Sequence, residues 1–78
     1  MKTDVAVLCG GTSPEHPISL LSAKSVIENF DVDRFTIHVV GIEKDGSWYL
    51  YKGNTFFNGT DATNIRLVEE NRIPCTMA

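Results

Sequence analysis

The stretch VAVLCGGTSPEHPISLLSAKSV, residues 5–26, decides how this chain is read. It opens on VAVLC, an apolar run without polar alternation. Such a run suits a short strand, over 4–9, buried on both faces as in a parallel sheet. Gly10 and Gly11 stop it, and paired glycines let a backbone turn sharply or approach another group closely. The prolines place the helix that follows. A residue before proline avoids helical dihedrals, and here Ser13 precedes Pro14 and His16 precedes Pro17. A start at Pro14 would force His16 to be helical against that bias. A start at Pro17 removes both conflicts and puts proline at the favoured first position. The expected helix is therefore 17–30, with Glu15 in an extended loop before it. At the helical period Leu20, Ala23, Val26, Ile27 and Phe30 share one apolar stripe. Ile18 and Leu21 lie off it, and Asn29 or the Asp31-Val32-Asp33 segment ends the helix.

Working outward, FTIHVVGI at 35–42 reads as a second strand. It can lie parallel to the first through the helix as a crossover. Lys44-Asp45-Gly46-Ser47 is a turn with Asp-Gly at its centre, and WYLY follows at 48–51, so a hairpin is expected near 42–51. Beyond Tyr51 the pattern weakens. Residues 52–64 read as irregular, 64–70 as a strand or a short helix, and 72–78 as a further strand. The fold class is α/β. A doubly wound sheet needs helices on both faces, and only one clear helix is present. A piece of a larger protein, or an oligomer that completes the sheet, is expected.

Composition narrows the partners. The chain has 78 residues, 42% of them hydrophobic, and a net charge of -3. With no basic cluster, nucleic acid and anionic membrane are poor partners. The apolar runs fall short of a membrane span and the first residues lack a secretory pattern, so a cytoplasmic location is expected. Cys9 and Cys75 have no metal-like spacing and are expected to stay unpaired. Asn58-Gly59-Thr60 is read as a turn rather than a glycosylation site, and His38 as a half-exposed sheet residue. Ser22, near the helix middle, reads as a packing residue. Trp48, Tyr49 and Tyr51 are read as packing against neighbouring domains or a dimer mate. They are not read as a base-stacking platform, since basic residues are not interleaved with them.

A glycine turn between strand and helix is where α/β folds bind ligands. Neither the dinucleotide pattern GxGxxG nor the phosphate loop GxxxxGK[ST] is present. The turn can be structural only. Alternatively Glu15, ionised near the positive end of a helix dipole, suits an ammonium group such as that of an amino acid. Its charge is wrong for phosphate.

Taken together, VAVLCGGTSPEHPISLLSAKSV and the downstream VVGIEKDGSWYL resemble the N-terminal signature of the D-alanine–D-alanine ligases, over about residues 4–51. In that family a strand leads into GG, a Ser, Glu-His, a β-branched residue, Ser, and a Ser-Ala pair. The resemblance implies a partial pre-ATP-grasp, Rossmann-like N-terminal domain. It implies ATP-dependent joining of two D-alanines for peptidoglycan precursors, through an acyl phosphate on the first. It implies that Glu15 holds the ammonium of the first D-alanine and that Ile18 touches the same molecule. His16, as a family-matching position, and Ser19, as a possible support for Glu15, complete the candidate site. His16 is favoured as a loop residue with a ring nitrogen bonded to backbone. Two departures stand out: Cys9 where a large apolar residue is usual, and Pro17 where an acidic one is common. The family's His-Gly motif, ATP-binding loop, catalytic Arg and magnesium carboxylates are absent. Residues 1–78 are therefore expected to be a truncated substrate-binding domain, inactive alone, with ATP and Mg bound by domains outside it and no cofactor of its own. The family tends to be dimeric through this domain, so a homodimer is expected. A ligase making D-alanyl-D-lactate or D-alanyl-D-serine is the alternative within the class. A stand-alone small-ligand or interaction module is the alternative outside it.

Overall fold

Strand β1 (Thr3–Gly10) leads through helix α1 (His16–Glu28) into strand β2 (Phe35–Ile42) in a computed structural model that describes residues 2–75. The two strands pair in parallel, with Thr3 opposite Phe35 and Gly10 opposite Ile42. This is the expected arrangement, with β1 one residue longer at each end. Strand β3 (Trp48–Tyr51) returns antiparallel to β2, as the hairpin reading requires. Its loop is Lys44-Asp45-Gly46, closed by Glu43 N–H to Ser47 O at 2.9 Å and Gly46 N–H to Glu43 O at 2.9 Å. Gly46 has φ 91°, the left-handed conformation that a three-residue hairpin loop demands at its last position. The turn is thus shifted one residue toward the N-terminus from the expected one.

The last third carries more order than its sequence signals. Strands β4 (Phe57–Asn58) and β5 (Arg66–Leu67) form a two-stranded sheet. Strand β6 (Arg72–Cys75) adds to the free edge of β3, giving the order β1-β2-β3-β6. The short strand β5 resolves the choice left open for 64–70, while β4 was missed within the stretch read as irregular. The end of the strand expected over 72–78 lies outside the described residues. Asn58-Gly59-Thr60 does turn: Gly59 has φ 96°, and Asn64 Oδ1 accepts the N–H groups of Thr60 and Asp61 at 2.8 and 2.9 Å.

Burial alternates along β1 rather than covering both faces. Val5 and Val7 are half-buried and Cys9 buried, while Ala6 and Leu8 between them are exposed. The strand read as buried on both sides is covered on one, because α1 and the β4–β5 segment pack on the same face. On the other face Leu8, Val40, Leu50 and Ile73 stand opposite one another across four strands, with Leu8 53% and Ile73 46% exposed. Accordingly the surface is 5342 Å², against about 4,700 Å² for a compact monomer of this mass.

The core centres on Leu20 and Val39, both fully buried, with Cys9, Ala23, Tyr51, Ile65, Leu67 and Val68 around them. On α1 the inward positions are His16, Leu20 and Ala23, with Ile27 packed beside them. That seam differs from the expected stripe at Val26, which is half exposed. A buried His16 recentres the stripe and leaves Val26 on its flank. The helix stops at Glu28, short of the expected 17–30, with Asn29, one of the two stops offered by the sequence, capping it through a side-chain bond to Ser25 O at 2.8 Å. Tyr51 also departs from its reading. It is buried within this chain, and its hydroxyl donates to Val68 O.

Cys9 and Cys75 are both free, and they stand on opposite faces of the sheet. Burial pushes the Cys9 thiol from 9.0 up to about 11, and burial chiefly raises Tyr51 too. In both groups the neutral form is the one the fold holds. A folded pKa above the unfolded one stabilises fully below pH 9 and loses that contribution as pH rises through about 11. For Cys9 the loss amounts to about 2–3 kcal/mol. Urea midpoints measured from pH 8 to pH 11 should fall steeply above pH 9, and less steeply in Cys9→Ala. A midpoint that stays level across the range would contradict this.

Candidate functional site

The site begins where β1 stops. Gly10 has φ 94°, and a Cβ there would lie 2.1 Å from Ile42 O and 3.1 Å from His16 Cε1. Its backbone is pressed against the end of β2 as only glycine allows. Gly11 has φ 114°, and its N–H donates to Ile42 O at 2.8 Å. The two glycines therefore serve different needs: Gly10 a close approach, Gly11 a change of direction.

Residues 13–16 then form a turn in which His16 N–H donates to Ser13 O at 3.0 Å. Glu15 has φ -79° and ψ 7°, near the third position of a type I turn, with proline at the favoured second position. Ser13 Oγ accepts Glu15 N–H at 3.0 Å. Glu15 is thus not extended. It closes a turn and accepts the first helical bond, from Ser19 N–H at 2.9 Å. His16 becomes the first helical residue and Pro17 the second, one step earlier than expected. The pre-proline bias yields because His16 is held from elsewhere. The residue is 3% exposed, and Nδ1 lies 2.7 Å from Gly11 O. A carbonyl oxygen only accepts, so the proton of that bond sits on Nδ1. The Ser-Pro pair at the first two turn positions was the available signal for this geometry.

Glu15 is exposed, and among the described residues its carboxylate has no hydrogen-bonding or ionic partner. Ile18 is 49% exposed and stands one turn along the same face. The other two candidates point inward. Ser19 Oγ accepts Gly10 N–H at 2.9 Å, so its hydroxyl is engaged by the glycine turn rather than by Glu15. His16 bonds the same turn from its carbonyl side, as the reading of a backbone-bonded ring had it. Ser22 is exposed rather than packed, and His38 lies on the outer sheet face with Nε2 3.0 Å from Asp4 Oδ1.

The glycine amides bear on which charge the loop can receive. A phosphate cradle needs free N–H groups. Here those of Gly10, Gly11, Glu15 and His16 are bonded within the protein, and Pro14 and Pro17 have none. What the loop offers outward is a carboxylate beside an apolar side chain. That pair suits a small cation bearing a short apolar substituent. The larger apolar groove, lined by Ile27, Val32, Phe35, Ile37 and Phe56 among others, lies by the start of β2 and the end of α1, away from this loop.

The family model described as the D-ala D-ala ligase N-terminus matches residues 4–75. The D-alanine–D-alanine ligase of Thermoanaerobacter sp. (strain X514) is 57% identical over 53 residues, covering 68% of this chain and 15% of that protein. The enzyme of the same name from Shouchella clausii is 39% identical over 71 residues, covering 91% of this chain and 19% of its own. Among solved structures, the VanG D-Ala:D-Ser ligase from Enterococcus faecalis superposes with a TM-score of 0.66 at 41% identity, over 69% of this chain and 16% of that one. The D-alanine-D-alanine ligase from Coxiella burnetii gives 0.63 at 44% identity, over 64% and 14%. The chain therefore spans less than a fifth of the length of these relatives.

Proposed function

This chain belongs to the D-alanine–D-alanine ligase N-terminal family, and from that premise we propose that its glycine turn is half of the binding site for the first D-alanine of an ATP-dependent ligase. Glu15 holds the ammonium group, and Ile18 lies against the methyl side. The observation that carries this reading is the Glu15 carboxylate, turned outward and without a partner among the described residues, beside glycines whose own N–H groups are already bonded. Two solved relatives with different second substrates in their names superpose on this segment about equally well. That favours a role for the segment in the half-reaction they share, with D-alanine as the first substrate. D-alanine, D-serine or D-lactate as the second substrate would be chosen elsewhere.

A nucleotide does not suit the loop: its carboxylate repels phosphate, and the N–H groups of Gly10, Gly11, Glu15 and His16 are bonded within the protein, so no step through a nucleotide is assigned to these residues. Phosphoryl transfer and closure over the amino acid belong to the rest of the ligase, and this chain alone is expected to show no D-alanine-dependent phosphate release. A pre-ATP-grasp arrangement supports the same division: a sheet that places a turn at its carboxyl edge for the rest of the enzyme to cover. Peptidoglycan precursor synthesis in the cytoplasm is the setting such a ligase implies. Among the described residues, no helix is long and apolar enough to cross a membrane. Pairing of two copies through this domain, expected from the resemblance, is tested by sedimentation of the complete ligase.

In the complete ligase carrying this domain, Glu15→Gln keeps the shape and removes the charge. A charge-assisted bond is worth about 1.5–3 kcal/mol, so the KM for the first D-alanine should rise roughly tenfold or more. The KM values for ATP and the second substrate should hold. An unchanged first-site KM and kcat in Glu15→Gln would remove Glu15 from this role.

A further inference from the structure

Among the described residues the Glu15 carboxylate has no bond to fix it, so its position depends on the backbone on either side. That backbone is gripped at two points by the first turn of α1. Ser19 Oγ accepts the N–H of Gly10 at 2.9 Å, and His16 Nδ1 lies 2.7 Å from the carbonyl oxygen of Gly11. The two bonds take the donor of one glycine and the acceptor of the next. Both come from side chains that follow Glu15 in the first turn of α1, and Glu15 itself accepts the N–H of Ser19 through its main chain at 2.9 Å. The end of β1, the turn and the start of α1 are therefore tied into one closed unit, with the Glu15 side chain projecting from it.

We propose that His16 and Ser19 are positioning residues. By clamping the Gly10-Gly11 turn to the helix, they hold the Glu15 carboxylate where it meets the ammonium of the substrate. This rests on the reading of Glu15 as the ammonium anchor. Neither side chain need touch the amino acid. Because the clamp acts through Glu15, its loss appears in the first-site KM and disappears when the Glu15 charge is already gone.

The test is kinetic, on the complete ligase, with D-alanine as the substrate probe. Ser19→Ala removes the acceptor for Gly10 N–H, and His16→Gln moves the donor away from the δ position. Each should raise the first-site KM about fivefold or more, since a small misplacement of a binding group is costly, while the KM for ATP and for the second D-alanine stay unchanged. Ser19→Thr keeps a hydroxyl, and His16→Asn keeps an N–H donor at the δ position. Both should restore most of the affinity, and they keep the question answerable should the harsher variants fail to fold. On a Glu15→Gln background, His16→Gln should add nothing further, the signature of coupled sites.

Additive effects on that background would overturn the clamp while leaving Glu15 as the anchor. So would equal KM rises for all three substrates, or conservative variants no better than the disruptive ones. A Glu15→Gln enzyme with unaltered first-site KM would instead bring down the anchor itself, and the clamp with it.

Discussion

Gly10→Ala should abolish folding of the chain, while Gly11→Ala, one residue on, should leave it folded. The two glycines look equivalent in sequence and both have positive φ, 94° and 114°. Positive φ alone costs a non-glycine residue about 1–3 kcal/mol. The difference is the neighbour. At Gly10 the added methyl would stand 2.1 Å from the backbone oxygen of Ile42, whereas at Gly11 nothing lies within 4 Å. A backbone carbonyl in a parallel ladder has no alternative rotamer. Relief requires prising the end of β1 from β2, which breaks the 2.8 Å bond from Gly11 N–H to Ile42 O and shifts the buried His16 ring. The sum should exceed about 4 kcal/mol, beyond the ordinary range of single substitutions. Stability on the order of 0.05–0.15 kcal/mol per residue gives a chain of this size about 4–12 kcal/mol, and a domain this small, with one sheet face uncovered, belongs at the low end of that range. Urea unfolding followed by circular dichroism should show no transition for Gly10→Ala and a transition shifted by about 1–3 kcal/mol for Gly11→Ala. Equal losses in the two variants would mean that the close approach of β1 to β2 does not constrain the fold.

That pair also marks how far the sequence could be read. Paired glycines after an apolar run announced a strand end and a turn, but not which glycine faced a carbonyl, because that depends on the partner strand. The parallel strands and the hairpin were legible from apolar runs and from Asp45-Gly46, which are local signals. The helix start was misplaced because a local rule, the avoidance of helical dihedrals before proline, met a tertiary bond from His16 to Gly11 that outweighed it. Once His16 belongs to the core, the apolar seam runs through His16, Leu20, Ala23 and Ile27, and the exposure of Val26 follows. Burial of β1 on both faces was read from its composition, yet this chain supplies cover for only one. The uncovered row of Leu8, Val40, Leu50 and Ile73 fits the same composition. Within the candidate site, the outward carboxylate of Glu15 was legible as chemistry. The inward roles of Ser19 and His16 were only half so, since hydrogen bonds to the backbone of a turn leave no compositional trace.

Least legible was the segment after Tyr51, and its order depends on one side chain. Arg72→Ala should cost about 2–4 kcal/mol, a little under the roughly 3–5 kcal/mol for breaking a fully buried ion pair, because Glu43 keeps some contact with solvent. Arg72 Nη1 lies 2.8 Å from Glu43 Oε2, 3.2 Å from the Tyr51 hydroxyl and 3.1 Å from Val68 O. The guanidinium also stacks 3.8 Å from the centre of the Tyr49 ring. The side chain is 10% exposed and that of Glu43 29%, so little solvent is at hand to replace what is lost. The four contacts reach three parts of the chain: Glu43 just after β2, Tyr49 and Tyr51 on β3, and Val68 just after β5. Arg72 is itself the first residue of β6, and so it joins the hairpin to the returning chain. Truncation strands the Glu43 carboxylate in a partly dry site and removes one of two donors from Val68 O. Arg72→Lys keeps the charge but not the planar group that both stacks and donates, and should recover less than half of the loss. The exposed pair of Lys24 and Glu28, at 3.2 Å on the helix surface, is the internal control. Lys24→Ala should cost about 0.5 kcal/mol or less. Urea titrations of the three variants decide the matter. If Arg72→Ala costs no more than Lys24→Ala, the segment is held by its buried Ile65, Leu67 and Val68 alone, and Arg72 is a bystander to it.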